Sequence, residues 1–398
     1  MRILFSTWAW PSHLYSMVPL ARACQAVGHT VAVASQPGLC EAIRQAGLPA
    51  VSVGSDVDTV SVFRGFVLAP DRPAWTTGRS SIDPPAGPRP AGPGSNGGST
   101  RPPRVLDLFG RLADVTAGPL LRFGRRWQPD LVIHDPTEFA GPVVASALGV
   151  RAIRHLYGLD LMYQLRRFLP AVVAPVAERL GVSNVDVVDA PTIDPCPTDF
   201  QLRVDYQPIV IRNEQYHGLP QPPCRPLDPP RRPRVCITWG TTIGRLGGAS
   251  LHLAGDVARA LAPLDADLVV AVTPEQASLL GELPAGVRVV EGTPLSALLP
   301  DCTAVVHHGG AGTTLACLRY GLPQLAVPQL PDHALHSRQM VGAGAGITLN
   351  RQLATADRLR DAVVALLSEP SHRDRAEQMA DQMRLRPRPP DIAALLAS

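Results

Sequence analysis

The sequence predicts an α/β protein built of two Rossmann-like, doubly wound domains that face each other across a cleft. Three observations predict it. Short apolar runs alternate with helical patterns in both halves of the chain. A proline-dense stretch, GLPQPPCRPLDPPRRPR (218–234), separates the halves and reads as a linker. The length, 398 residues, is that of two ordinary domains rather than one. The expected division is 1–217, linker 218–234, and 235–398.

In the first half, RILFS (2–6) is an apolar run of the kind buried in a parallel sheet. A helix follows from about Leu14 to Val27, closed by Gly28. TVAVAS (30–35) is the next strand, 39–46 a helix, and PAVSV (49–53) a third strand. Residues 69–104 break the order. They are proline, glycine and serine with little to bury, and they read as a mobile loop, either a lid or an unstructured insertion. Alternation resumes with a helix near 105–127, the strand DLVIH (130–134), a helix near 138–148 and a strand at 151–154. Residues 160–181 look helical, and QPIVIR (207–212) suits a last strand. The second half repeats the theme with strands VCITW (235–239), DLVVAV (267–272), VRVV (287–290), AVVH (304–307) and QLAVP (324–328).

Composition narrows the function. A net charge of +3 gives no basis for a nucleic-acid partner. No stretch is long and apolar enough to span a membrane. All 37 basic residues are arginine, so a Schiff-base lysine and a Walker-type lysine are excluded. Seven cysteines are scattered singly, without a C-x-x-C pair, as expected of reduced thiols in a cytoplasmic protein. The start of the chain could pass for a signal peptide. However, Ser6, Thr7, Ser12 and His13 interrupt its apolar run, and a buried first strand is the better reading.

The stretch VVHHGGAGTT (305–314) carries the clearest chemical signal. A strand feeds a glycine-rich turn and then a helix. Such a helix start offers free N–H groups and partial positive charge to an anion. The turn is not G-x-G-x-x-G, and no GK[ST] follows it. Neighbouring residues at a strand end point to opposite sides, so His307 and His308 do not suit one zinc ion. A phosphate group is the expected tenant.

HHGGAGTTLACLRYGLPQLAVPQLPDH (307–333) resembles the donor-binding signature of inverting glycosyltransferases of the GT-B fold. It is most similar to that of bacterial enzymes that glycosylate macrolides, polyketides and other natural products. FSTWAWPSHLYSMVPLARACQAVGHTVAVASQP (5–37), PDLVIHDPTEFAGPVVASALGV (129–150) and RVCITWGTT (234–242) extend the likeness over most of the chain except 69–104. The resemblance implies an enzyme whose co-substrate is a TDP-sugar, with UDP-sugar the alternative, and which needs no cofactor. It implies that His307 meets the donor pyrophosphate, helped by Gly309, Gly310, Gly312, Thr313 and Thr314, while the role of His308 stays open between contact and packing. The nucleotide base is expected near Val290, Glu291 and Thr293. Thr241 is either a phosphate contact or a turn residue. Asp332 and His333 are sugar-contact candidates, with His333 standing where many relatives have glutamine.

A hydroxyl acceptor is a weak nucleophile, and a base should take its proton as the new bond forms. His13 sits after the first strand, at the carboxyl edge where α/β sheets place ligands. Ser12-His13 corresponds to the family's glycine–histidine pair. Asp135 ends the strand DLVIH and matches the partner aspartate, although it also reads as a helix cap. Glu138 is the reserve partner. Trp8, Trp10, Phe139, Tyr157 and Tyr163 are candidates to line the site of a hydrophobic aglycone acceptor, although such residues are more often core than contact. The D-x-D sequences Asp56-Val57-Asp58 and Asp265-Ala266-Asp267 read as solvated carboxylates in loops or at helix ends, not as metal ligands. The alternatives are a C-glycosyltransferase, a sugar-nucleotide epimerase and a non-catalytic auxiliary homologue. Intact His13 and an intact glycine turn argue against the last. A homodimer, a separate activator protein and a last helix that crosses back onto the first half stay open.

Overall fold

The computed structural model describes residues 1–68, 102–183, 185–218, 227–247 and 251–396. The expected mobile loop, apart from residues 102–104, and much of the expected linker lie outside these residues. Two parallel sheets form the framework. The first holds β1 (Arg2–Ser6), β2 (Thr30–Ser35), β3 (Ala50–Ser52), β4 (Leu131–His134), β5 (Arg151–His155), β6 (Thr192–Asp194) and β7 (Ile209–Val210). Its order is β3-β2-β1-β4-β5-β6-β7. The second holds β8 (Arg234–Thr238), β9 (Asp267–Val272), β10 (Arg288–Glu291), β11 (Ala304–His307), β12 (Gln324–Ala326) and β13 (Gly346–Thr348), in the order β10-β9-β8-β11-β12-β13. The strand pairings are parallel in both.

The apolar runs explain the sheets. Ile3, Leu4 and Phe5 of β1, like Val235, Cys236 and Ile237 of β8, are fully buried. Helices on both faces demand this of a parallel strand. Strand order reverses between β1 and β4, and again between β8 and β11. A crevice opens beyond the carboxyl ends at each reversal. Register fixes what lies there. Ser6 pairs with His134 in the first sheet, and Thr238 with His307 in the second.

The helix Pro11–Ala26 leaves the first crevice. Pro11 suits its opening turn, where no intrahelical N–H is needed. Leu14, Met17, Val18 and Ala21 bury its inner face, and Gly28 turns the chain at φ 92°. The last helix, Pro389–Leu395, packs on this one. Ile392, Ala393 and Leu396 join Leu14, Met17 and Val18 in one apolar cluster. The chain therefore crosses from the second sheet back to the first. Arg212 N–H donates to Pro387 O, and Arg386 Nη1 donates to Asp194 O at this crossing.

Two three-residue strands, β6 and β13, are too short to carry a pattern of their own. The helical stretch expected over 160–181 divides into Leu161–Gln164 and Leu169–Arg179. Asp160 caps the first piece through Tyr163 N–H, and a proline opens the second. The expectation for Asp267 is corrected: it begins β9 and pairs with Arg234 at 2.7 Å and with Arg288. Among the described residues no helix is long and apolar enough to cross a membrane. Six cysteines are described, all buried and free.

Candidate active site

His13 and Asp135 meet at the first crevice. His13 lies in the opening turn of its helix, and its N–H donates to Trp10 O. Asp135 follows β4 directly, tied to β1 by its N–H to Ser6 O at 2.9 Å. His13 Nδ1 stands 2.7 Å from Asp135 Oδ2. The aspartate is only 1% exposed. Burial alone would raise its pKa. The charge of His13 and the hydrogen bonds from His13 and Thr137 outweigh burial and hold it below the usual range. Thr137 donates to Asp135 Oδ1 from both its N–H and its hydroxyl. Trp8 Nε1 donates in turn to Thr137 Oγ1 at 2.9 Å. The aspartate thus has a fixed orientation, and it leaves His13 Nε2 for an outside proton.

Glu138 does not share this role. It accepts from Ser6 Oγ, Ala140 N–H and Gly141 N–H, so it caps the helix Ala140–Leu148. Burial pushes its carboxyl up to about 7.

The aromatic candidates divide. Phe139 and Tyr163 are core residues, 1% and 4% exposed, the core reading that the sequence also offered for them. Phe139 packs edge-on to Phe109, and Tyr163 to Tyr206. Trp8 is buried and stacks on Trp10 at 5.0 Å. Trp10 joins Pro11, Thr241 and Thr242 around a small pocket between the two halves. Tyr157 is half-buried, its ring centroid 3.9 Å from that of His13.

At the second crevice the helix Ala311–Arg319 begins after extended Gly310, and no side chain caps its first turn. Thr314 is spent within the turn, since its hydroxyl donates to Gly310 O. Gly312 faces open space where a Cβ would stand. The two histidines of the turn differ in their partners. His307 is fully buried, its Nε2 donating to Gln324 Oε1 at 2.9 Å while its Nδ1 accepts from Gly309 N–H at 3.0 Å. Neither nitrogen is left for a phosphate, so His307 supports the turn from beneath.

His308 holds the unmet nitrogen, its buried Nδ1 lacking a partner. Glycines wall this ring in. A Cβ at Gly240 would come within 2.5 Å of His308 Cε1, and one at Gly310 would collide with Nε2. Burial, with the neighbouring His333, holds His308 far below the usual histidine range and so neutral. His333 is also buried, edge-on to His308 at 4.8 Å and packed over Gly309, and its Nδ1 likewise lacks a partner. Asp332 beside it keeps a side chain 40% exposed. Val290 and Thr293 are half-buried, and Glu291 and Thr241 exposed, at the ends of β10 and β8. Among the described residues no group of His, Cys, Asp or Glu is placed to hold a metal ion.

Sequence reasoning left His308 open between contact and packing, and it missed Gly240 and Thr137 as parts of these two clusters. The signal available for His308 was its place one residue nearer the helix.

The chain compares as a whole with known proteins. Residues 22–73 and 104–240 match the family described as "Erythromycin biosynthesis protein CIII-like, N-terminal domain", and residues 256–398 its C-terminal domain. It is 34% identical to the L-demethylnoviosyl transferase of Streptomyces niveus, over 100% of this chain and 98% of that protein. It is 31% identical to the 3-alpha-mycarosylerythronolide B desosaminyl transferase of Saccharopolyspora erythraea, over 99% and 97%. The solved structure of the glycosyltransferase VinC in complex with DTDP superposes with a TM-score of 0.79, at 31% identity, covering 100% of this chain and 98% of that one. The spinosyn forosaminyltransferase SpnP superposes at 0.80, with 30% identity over the same shares. Two parallel-sheet domains matched along their whole length make this the GT-B fold, and the chain belongs to the erythromycin biosynthesis protein CIII-like family of glycosyltransferases.

Proposed function

We propose that the chain moves a deoxysugar from a TDP-sugar, or its UDP counterpart, to a hydroxyl of a hydrophobic polyketide-type aglycone, with inversion at the anomeric carbon. The buried His13–Asp135 pair at 2.7 Å carries the reading. His13 Nε2 takes the acceptor proton while Asp135 stabilises the imidazolium that forms. The acceptor oxygen attacks the anomeric carbon, and the bond to the diphosphate breaks on the opposite face. The diphosphate leaves with its electron pair towards the uncapped start of the helix Ala311–Arg319. His308 and the backbone of Gly310, Gly312 and Thr313 meet it, and Asp332 meets the sugar. Val290, Glu291, Thr293 and Thr241 flank the nucleotide. No metal enters this scheme.

The printed names of relatives support the substrate classes. Among them are a 10-deoxymethynolide desosaminyltransferase, and the rhamnosyltransferase SpnG solved with thymidine diphosphate and with spinosyn aglycone. The test is calorimetric titration with thymidine and uridine diphosphate, with and without EDTA, on the unaltered chain and on His13→Ala. Binding that ignores EDTA and survives His13→Ala, with sugar transfer lost in that variant, is the expected result. Failure of both nucleotides to bind overturns it.

A further inference from the structure

Tyr157 and Gly158 are adjacent, yet they touch opposite halves of the molecule. Tyr157 lies against the His13 ring, with centroids 3.9 Å apart and planes 34° apart. Gly158 lies against the donor half. A Cβ there would come within 2.8 Å of both Ala311 Cβ and His336 Nε2. Ala311 is the first residue of the helix that starts at the glycine turn. The next residue, Leu159, packs in a cluster with Leu315 and Leu318 of that same helix.

The segment is gripped on both flanks. Leu156 N–H donates to Ile193 O of β6. Asp160 forms a two-pronged pair with Arg154 at 3.1 and 2.8 Å, both side chains fully buried. Tyr206 and the Asp160 N–H bond to Gln201 complete the anchor. A short loop held at both ends and packed on two sides moves as one piece. Its neutral phenol stands within the fields of Asp135, Asp332 and Asp160, which together with burial keep it from ionising.

Building on the proposed roles of His13 and the glycine turn, we infer that Tyr157 is a positioning residue for His13 whose placement is set by the seat of Gly158 on Ala311, so that a nucleoside diphosphate at the turn is felt at the base. Besides Tyr157, the groups facing His13 are Asp135, Thr137 and Trp8. Asp135 holds one ring nitrogen in line. It does not stop the ring from swinging about that bond, and the Tyr157 face does. The contact at Gly158 admits no side chain, so a shift at Ala311 has no slack to vanish into.

The chain has 11 histidines, few enough to resolve their ring signals by NMR and to assign His13 through His13→Gln. The probe is thymidine diphosphate, with its binding followed in parallel by calorimetry. In the unaltered chain the His13 Hε1 signal carries the ring-current shift of Tyr157 and moves when the nucleotide binds. Tyr157→Phe keeps both effects, and Tyr157→Leu loses the first. In Gly158→Ala, at nucleotide concentrations that calorimetry shows to saturate the variant, the His13 signal no longer responds. A His13 signal unchanged in Tyr157→Leu, or a normal response in Gly158→Ala, overturns the inference while leaving the donor reading intact. Absence of nucleotide binding to the unaltered chain overturns the donor reading beneath it, and calorimetry separates that failure from the other two.

Discussion

Replacing Asp135 by asparagine keeps the size of the side chain and removes its charge. The carboxylate is 1% exposed, and three hydrogen bonds converge on it, from His13 Nδ1, Thr137 N–H and Thr137 Oγ1. The amide keeps its oxygen towards Thr137, because both groups there are donors. Its NH2 then faces His13 Nδ1 and forces that nitrogen to accept. The proton moves to Nε2, the atom proposed to take one from the acceptor. A hydrogen bond to a charged group is worth about 1.5–3 kcal/mol, or roughly 10- to 150-fold in rate. Loss of the right tautomer as well has cost about 10⁴-fold in a comparable histidine–aspartate pair. The expected fall in kcat for Asp135→Asn is therefore between roughly 10² and 10⁴-fold. Thymidine diphosphate should bind as before, because the turn proposed to hold it belongs to the other sheet. Steady-state transfer assays and calorimetry on the same preparation measure both. A kcat within about threefold of the unaltered chain would refute the dyad, since that is under 1 kcal/mol. Parallel loss of kcat and nucleotide affinity would show that the substitution had damaged the fold instead.

The two histidines of the turn should separate cleanly. His308→Ala weakens thymidine diphosphate in calorimetry, beyond the fall in Tm that loss of its buried ring brings. His307→Ala instead leaves Gln324 and the Gly309 N–H unpaired and costs about 1–3 kcal/mol of stability by urea unfolding. Arg154→Met strands the buried Asp160 carboxylate, and about 3–5 kcal/mol should be lost by the same measurement. Stability should also fall between about pH 6.5 and 4. Burial holds His134, His155 and His307 at about 4 and His333 at about 3, so the unfolded chain binds protons there that the folded one does not. Glu138, raised to about 7, and Asp194, raised to about 6, act in the opposite sense but are fewer. Thermal unfolding at pH 7, 6 and 5 checks the sign, and a Tm that holds or rises on acidification contradicts it.

Much of this was legible in the chain itself. Apolar runs such as RILFS and AVVH must be buried on both faces, and that need alone implies parallel sheets covered by helices. His13 and Asp135 were readable because each follows a strand, and strand ends of neighbouring parallel strands share an edge. A glycine turn before a helix signals an anion site for an equally local reason, since its free N–H groups belong to consecutive residues. What tertiary structure alone decided is which way each side chain turned. His307 and His308 are equivalent as letters. Gln324, 17 residues on, draws the first inward, and Gly240, far earlier in the chain, makes room for the second. Phe139 and Tyr163 went to the core, and Tyr157 to His13, through packing between elements distant in sequence. β6 and β13 exist only because neighbouring strands supply their hydrogen bonds. Local pattern determines which elements form and where their ends meet. The direction of a side chain at such an end depends on partners that only the folded chain brings near.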